Sequence, residues 1–327
     1  MPLNSTRGAG SAKGFGFTAG VSPFITATGG TETTDGDYKI HTFTSPGTFA
    51  VTGAGNGPTN NVDYFVVGGG GGGGNNGYPI QRAGGAGGGG GFRTSNFYGL
   101  PAPTTSPLAN PTGIPVTATS YPITVGAGGA GGQPATNSGA YSGFKGADSI
   151  FSTITSAGGG GGNGHPLIGP GPTPIPGGPS SGGSGAGGTE GAAGGNTPPT
   201  SPPQGNNGGN GVAQPPSTFA AGGGGGAGAQ GGDASGNTGG KGGLGSYVSP
   251  SLAGANGTTG PVPGVRYFSG GGGGIGGGAA PDGGGGKAYG GDSGTANTGG
   301  AAGGQVFNTG AAGNGGSGIV IIRYKYK

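Results

Sequence analysis

Proton transfer and metal ligation in this chain fall chiefly to two histidines, His41 and His165, and nine acids: Glu32, Asp35, Asp37, Asp63, Asp148, Glu190, Asp233, Asp282 and Asp292. There is no cysteine, and no His pair has the one-turn spacing a zinc site uses. Glu32, Asp35 and Asp37 fall close together ahead of the first strand-like run. A calcium loop needs alternating carboxylates at fixed positions, which these three do not supply, so they read as a solvated turn. Gly-x-Gly-x-x-Gly occurs several times, for example over 126–131. In a chain this rich in glycine the match is expected by chance. A dinucleotide site also needs a strand before it, a helix after it and an acid about 20 residues on. No Walker lysine follows any of the glycine runs. Ser-His-acid and paired-carboxylate arrangements are missing as well. The expectation is a non-enzymatic protein with no cofactor and no metal.

What could hold any side chain in place is the larger question. The chain has 327 residues, 101 of them Gly and 28 Pro, with 28% hydrophobic and 6% charged residues. Proline plus glycine at this level, with no period, usually marks disorder, and glycine loses the most backbone entropy on folding. A period is present, however. Gly182, Gly185, Gly188, Gly191 and Gly194 recur every third residue, as do Gly222, Gly225, Gly228 and Gly231, and Gly236, Gly239, Gly242 and Gly245. Three residues per turn is the repeat of the polyproline II helix, which turns its backbone groups outward at about 3.1 Å per residue. Buried backbone groups must be paired, and such rods can pair only with one another. Collagen is excluded because the register breaks often and Pro is kept out of the glycine segments. Instead Pro gathers in 100–115, 165–179, 198–216 and 249–263, the pattern of straight rods joined by stiff exposed loops.

Strand signals lie at the two ends. Residues 37–43 are β-branched and aromatic, Ser45-Pro46-Gly47 reads as a turn, and 48–52 reads as the returning strand of a hairpin. Residues 61–67 form a third strand that runs straight into glycine. The close, 319–327, alternates Tyr with Lys or Arg in its second half. Pairing of this last strand with the N-terminal ones closes the chain into one unit. The expected fold is therefore mainly β and irregular, with essentially no α-helix. Residues 1–30 form an arm for attachment or oligomerisation, 31–67 are strands paired with 319–327, and 68–318 are a stacked polyglycine II bundle with exposed Pro-rich loops.

Charge says little about partners. The formal net charge is +3 and the basic residues are scattered, except for Arg323, Lys325 and Lys327, so no nucleic-acid surface is expected. The N-terminal residues lack the apolar stretch of a secretion signal. No apolar run is long enough to span a bilayer, so membrane insertion is not expected. Recognition by loops on a rigid frame is a recurrent solution, and Tyr and Arg are frequent binding anchors. Tyr78, Arg82, Arg93, Phe97, Tyr98, His165, Arg266 and Tyr267 stand at or near rod ends and are the contact candidates. At each position the alternative is that the side chain merely caps a rod. Phe15, Phe17 and Phe24 are candidates for assembly.

The run 37–49, then 61–70, resembles the opening of the glycine-rich domain of bacteriophage virion proteins, particularly those of marine phages. Residues 121–128 and 149–158 are similar to internal pieces of that family, and 315–324 to its ending. The resemblance covers roughly 37–324, in order. It implies a virion-surface protein of adhesin or tail-fibre type, whose layered polyglycine II rods present distal loops to a host receptor, a glycan or an outer-membrane protein. It also implies other virion proteins as partners and a homo-oligomer, by analogy a trimer. It carries no catalytic motif. Two alternatives stay open: a capsid decoration or fibre protein with a structural or weak adhesive role, and a non-viral glycine-rich or ice-binding protein. A regular array of Thr on one face would favour ice binding, and no such repeat is present.

Overall fold

The computed structural model describes residues 23–75, 84–100, 102, 104–133, 142–164, 180–189, 191–214, 218–305 and 310–327. Among them the fold is mainly antiparallel β, with one four-residue α-helix. The strands are β1 (Ile25–Thr28), β2 (Thr31–Asp35), β3 (Tyr38–Phe43), β4 (Gly47–Ala54), β5 (Asn61–Val67), β6 (Phe92–Ser95), β7 (Ala109–Asn110) and β8 (Ile114–Pro115). They continue as β9 (Ser120–Thr124), β10 (Ser149–Phe151), β11 (Ile154–Ser156), β12 (Val212–Gln214), β13 (Thr218–Ala220) and β14 (Ser246–Val248). After α1 (Pro250–Ala253) come β15 (Arg266–Phe268) and β16 (Ile319–Lys325).

Two sheets face each other. One has the order β1-β4-β9-β10-β11; the other runs β2-β3-β16-β5-β6-β7, with β8 added beside β5. The closing strand β16 sits between β3 and β5, with Ile322 opposite both His41 and Tyr64. Its period of two sorts its side chains between two cores. Val320, Ile322 and Tyr324 enter the core between the sheets with Phe43, Phe49, Val51, Val66 and Phe151. Ile319 and Ile321 enter a second core on the far face, with Phe65, Phe92, Val248, Leu252 and Phe268. The larger sheet is thus a middle layer, covered on its far side by α1 and the β14–β15 ribbon. Ile319, Val320, Ile321 and Ile322 are fully buried, each a gain of roughly 1.5–3 kcal/mol from removing apolar surface from water.

The hairpin expected around Ser45-Pro46-Gly47 does not form. β3 pairs with β2 and β16, whereas β4 pairs with β1 and β9. The turn carries the chain from one sheet to the facing one, so that Phe43 and Phe49 enter a single core from opposite layers. Gly29 and Gly30 do the same between β1 and β2. A Cβ on Gly29, at φ 119°, would stand 2.0 Å from the Thr48 carbonyl oxygen, so no other residue fits this corner. The edge strand β2, exposed at every position, has no apolar alternation to betray it; the acids Glu32 and Asp35 lie in it rather than ahead of it. Strands β1 and β9 to β11 also show that both the first 30 residues and the glycine-rich body contribute to the sheets.

From the sheets, glycine rods run outward and back. Residues 68–75 leave β5, and their hydrogen bonds turn through three directions in three residues. Gly68, Gly71 and Gly74 donate to Gly91, Gly88 and Gly85; Gly69 and Gly72 donate to Ala147 and Phe144; Gly70 and Gly73 donate to Gly316 and Gly313. Their carbonyls accept with the same repeat: Gly69 and Gly72 from Gly159 and Gly162, Gly70 and Gly73 from Gly129 and Gly132, Gly71 and Gly74 from Ala302 and Gln305. One rod therefore has six neighbours. Those neighbours bond to one another in a closed ring through Gly88–Gly160, Gly143–Gly162, Phe144–Ala130, Gly315–Gly129, Gly316–Gly300 and Gly87–Ala302. This is a hexagonal array held chiefly by main-chain hydrogen bonds. Residues 84–91 and 221–227 are likewise enclosed, the latter by 184–188, 205–209, 229–232, 239–243, 269–275 and 84–91.

Candidate functional site

Rods leave β5, β9, β11 and β15 and others return to β6, β10, β14 and β16, so the molecule has a second end where rods turn back. Small amides and hydroxyls tie that end together. Asn75 Nδ2 donates to the Gly310 carbonyl at 2.8 Å, Asn163 Nδ2 to Thr189 Oγ1 at 2.9 Å, and the Gly164 N–H to Ser142 Oγ at 3.0 Å. Asn314 Oδ1 accepts from the Gly131 N–H at 2.8 Å, and the Gln305 N–H donates to the Gly74 carbonyl at 3.2 Å. Around them lie three described turns, at 235–238, 275–277 and 288–291. Side chains on this end stand on rods bonded on several sides.

Tyr289 is the most exposed large apolar side chain here, at 54%. Its backbone is held at φ 72°, the left-handed region that a bulky residue rarely occupies. Isolated bridges fix Tyr289 and Gly290 against Gln305.

The opposite end has different chemistry. Asp63 and Arg323 are cross-strand partners on β5 and β16, both buried, with Oδ2 and Nη1 3.3 Å apart. Asp63 also accepts from Ser95 Oγ at 2.7 Å and from the Phe97 and Tyr98 N–H groups at 2.6 and 3.3 Å. The Tyr38 ring lies 3.7 Å from the Arg323 guanidinium carbon. The carboxylate is therefore a staple holding the loop after β6 to the sheet. His41, fully buried, donates Nδ1–H to the Gly29 carbonyl at 2.6 Å and accepts at Nε2 from the Tyr324 hydroxyl at 3.0 Å. Burial holds its pKa below the usual histidine value and pushes that of Tyr324 well up. A groove of about 390 Å³ opens between β8 and the β10–β11 turn, lined by Tyr64, Asn110, Thr112, Ile114, Ser152 and Thr153 among others. It carries no carboxylate, histidine or lysine. Among the described residues no three acids or histidines are grouped to hold a metal ion, and no helix is long and apolar enough to cross a membrane.

The model of the glycine-rich domain family matches residues 42–325, from within β3 to the end of β16. The chain belongs to the glycine-rich domain family. A search of curated proteins finds no match to it.

Within this glycine-rich domain the contact candidates separate. Tyr78, Arg82 and His165 lie outside the described residues, as do Phe15 and Phe17. Arg93, Phe97, Tyr98, Arg266 and Tyr267 all sit at the sheet end. Arg93 is half-buried on β6, opposite Val66. Tyr98 donates its hydroxyl to the Asn61 carbonyl at 2.7 Å and meets the Tyr38 ring at 5.3 Å; burial pushes its pKa up to about 12. Phe97 stands edge-on to Tyr98. Arg266 is half-buried on β15, opposite Val248. Tyr267 is 2% exposed, with its ring against Tyr247 and its hydroxyl accepting from the Val262 N–H. It caps a rod by packing and offers no contact surface. Phe24 is half-buried beside Gly55. Tyr289 escaped sequence reasoning; the available signal was a lone aromatic between two glycine runs, 283–286 and 290–291.

Proposed function

We propose that this glycine-rich domain is a non-enzymatic structural protein of a bacteriophage virion, an outward-facing tail fibre or receptor-binding tip that attaches to a host envelope. The supporting observation is the polarity of the frame. The two large sheets and the two large apolar cores are gathered at one end, and rods bonded on several sides carry a set of turns to the other. We read the rods as polyglycine II, whose three-residue repeat matches the hydrogen-bond pattern of 68–75. Such a frame spends its sequence on backbone contacts and leaves the turns free to vary, which is what a recognition surface needs. The phage assignment rests on the resemblance of 37–324 to virion proteins. Other virion proteins, a homo-oligomer and a host receptor, glycan or outer-membrane protein, are the partners this reading implies, and the virion surface is its location.

Binding of the labelled, purified protein to a panel of bacteria, with antibody labelling of phage particles, tests the reading. Saturable binding to some strains and antibody at the tail tip are the expected results. Antibody on the capsid would support the decoration role instead. No binding to any strain and no labelling of any particle would overturn the proposal.

A further inference from the structure

Six Asn-Gly pairs lie among the described residues, at Asn56, Asn163, Asn207, Asn210, Asn256 and Asn314. This pairing carries a reaction of its own. The main-chain nitrogen of the glycine attacks Cγ of the asparagine, an approach that no Cβ on the glycine hinders. The Cγ–Nδ2 bond breaks, and the side-chain nitrogen leaves as ammonia with the proton that the glycine nitrogen gives up. Water then opens the cyclic imide at one of its two carbonyls. Attack at Cγ gives aspartate. Attack at the main-chain carbonyl gives isoaspartate, in which the chain runs through the former side chain and is longer by its CH2 carbon.

The fold does not treat the six pairs alike. At three of them the attacking N–H is already bonded: Gly164 donates to Ser142 Oγ at 3.0 Å, Gly208 to the Ala193 carbonyl at 3.1 Å and Gly315 to the Gly129 carbonyl at 2.8 Å. The side-chain amides of Asn163, Asn207 and Asn314 are bonded too. At Asn210 and Asn256 the leaving nitrogen is held, by Asp233 Oδ1 at 3.2 Å and by the Ala253 carbonyl at 2.8 Å. Asn56 differs from all five. Asn56, Gly57 and Pro58 are exposed. Asn56 caps a 3-10 turn over Gly57–Asn60, so the Gly57 N–H is one of the groups that a helix start leaves without an internal partner. Neither that N–H nor Asn56 Nδ2 has a hydrogen bond among the described residues. Gly57 sits at φ 56° with nothing within 4 Å of where a Cβ would stand, so its nitrogen can swing toward Cγ without a clash.

This turn also holds the approach to β1. The Asn56 N–H donates to the Pro23 carbonyl at 3.2 Å and to Thr59 Oγ1 at 3.1 Å, and the Thr59 hydroxyl bonds the same Pro23 carbonyl. A main chain lengthened at residue 56, with a carboxylate added, cannot keep both groups on Pro23.

We propose that Asn56 is a site of spontaneous deamidation in the folded protein, and that the isoaspartate formed there loosens the clasp on Pro23 and the start of β1. This stands apart from the attachment role. The test incubates the full chain in heavy-oxygen water at neutral and mildly alkaline pH, folded and in denaturant. Mass spectrometry follows all six pairs, and hydrogen exchange follows β1 before and after. In the fold Asn56 should convert about tenfold or more faster than Asn163, Asn207 and Asn314, which must open locally first. It should outpace Asn210 and Asn256 by a smaller factor. The product should carry heavy oxygen, appear as both aspartate and isoaspartate, and form faster at the higher pH; in denaturant the six rates should converge. After conversion the amides of Ile25 and Thr26 should exchange faster, and an Asn56→Ser variant incubated alongside should show no change there. A locked pair that converts as fast as Asn56 in the fold, or an Asn56 that stays intact while Asn210 or Asn256 converts, would overturn the site. Conversion that leaves exchange in β1 unchanged would overturn the clasp.

Discussion

The backbone-to-backbone locking of the rods can be tested at one atom. Gly71 donates to Gly88 and accepts from Ala302, both at 2.9 Å, in a rod enclosed on six sides. A methyl added there would place its carbon 2.0 Å from the Gly160 carbonyl oxygen and 2.6 Å from the carbonyl carbon. A normal carbon–oxygen contact is about 3.3 Å or longer, so the two rods must part by more than an ångström. They cannot do so alone, because Gly160 also accepts from Gly88 at 2.8 Å. Overpacking of about 1–3 kcal/mol adds to two or three weakened hydrogen bonds at about 1 kcal/mol each, and Gly71→Ala should cost about 5 kcal/mol. That is on the scale of a whole domain's stability and corresponds to a fall in melting temperature on the order of 10 °C. The control is Gly191→Ala, where nothing lies within 4 Å of the added carbon and φ is ordinary; it should be neutral or slightly stabilising. Scanning calorimetry on both variants decides the matter. If Gly71→Ala melts within about 2 °C of Gly191→Ala, the rods are not locked by the contacts described here.

Other outcomes follow from the sheet end. His41 is neutral in the fold because burial lowers its pKa, whereas in the unfolded chain it takes up a proton near its ordinary value of 6.5. Its contribution is therefore complete above that pH and is lost progressively as pH falls below it; melting temperature should drop on acidification, and a His41→Phe variant should show a shallower slope. Asp63→Ala strands a buried guanidinium and three other donors, and should cost about 3–5 kcal/mol in urea denaturation. Arg323→Met should cost less, since Asp63 keeps Ser95 and the Phe97 and Tyr98 amides; the opposite order would contradict the staple role. In hydrogen exchange, the amides of 68–74, 84–91 and 222–226 should be the slowest among the glycines. Random-coil rates there would show that the array does not exist in solution.

The sequence by itself determined the materials of this fold. The strands at 37–43, 61–67 and 319–325 were legible because period two and β-branched residues leave no other use for those segments. The pairing of the last strand with the first ones followed from their isolation at the two ends. The three-residue glycine register told that backbone would have to bond to backbone. What remained hidden has one cause: glycine has no side chain, so a rod carries no mark of which rods will lie beside it. That 68–75 would be ringed by six particular neighbours, or that Gly71 and Gly191 would differ so sharply in the space around them, depends on the order in which the chain returns to the sheets. The crossing at Ser45-Pro46-Gly47 was hidden for a related reason, since a turn between two strands reads the same whether they pair or face each other. Only the tertiary structure put Phe43 opposite Phe49, buried Tyr267, and left Tyr289 standing on a strained turn at the far end, because exposure is a property of what surrounds a residue.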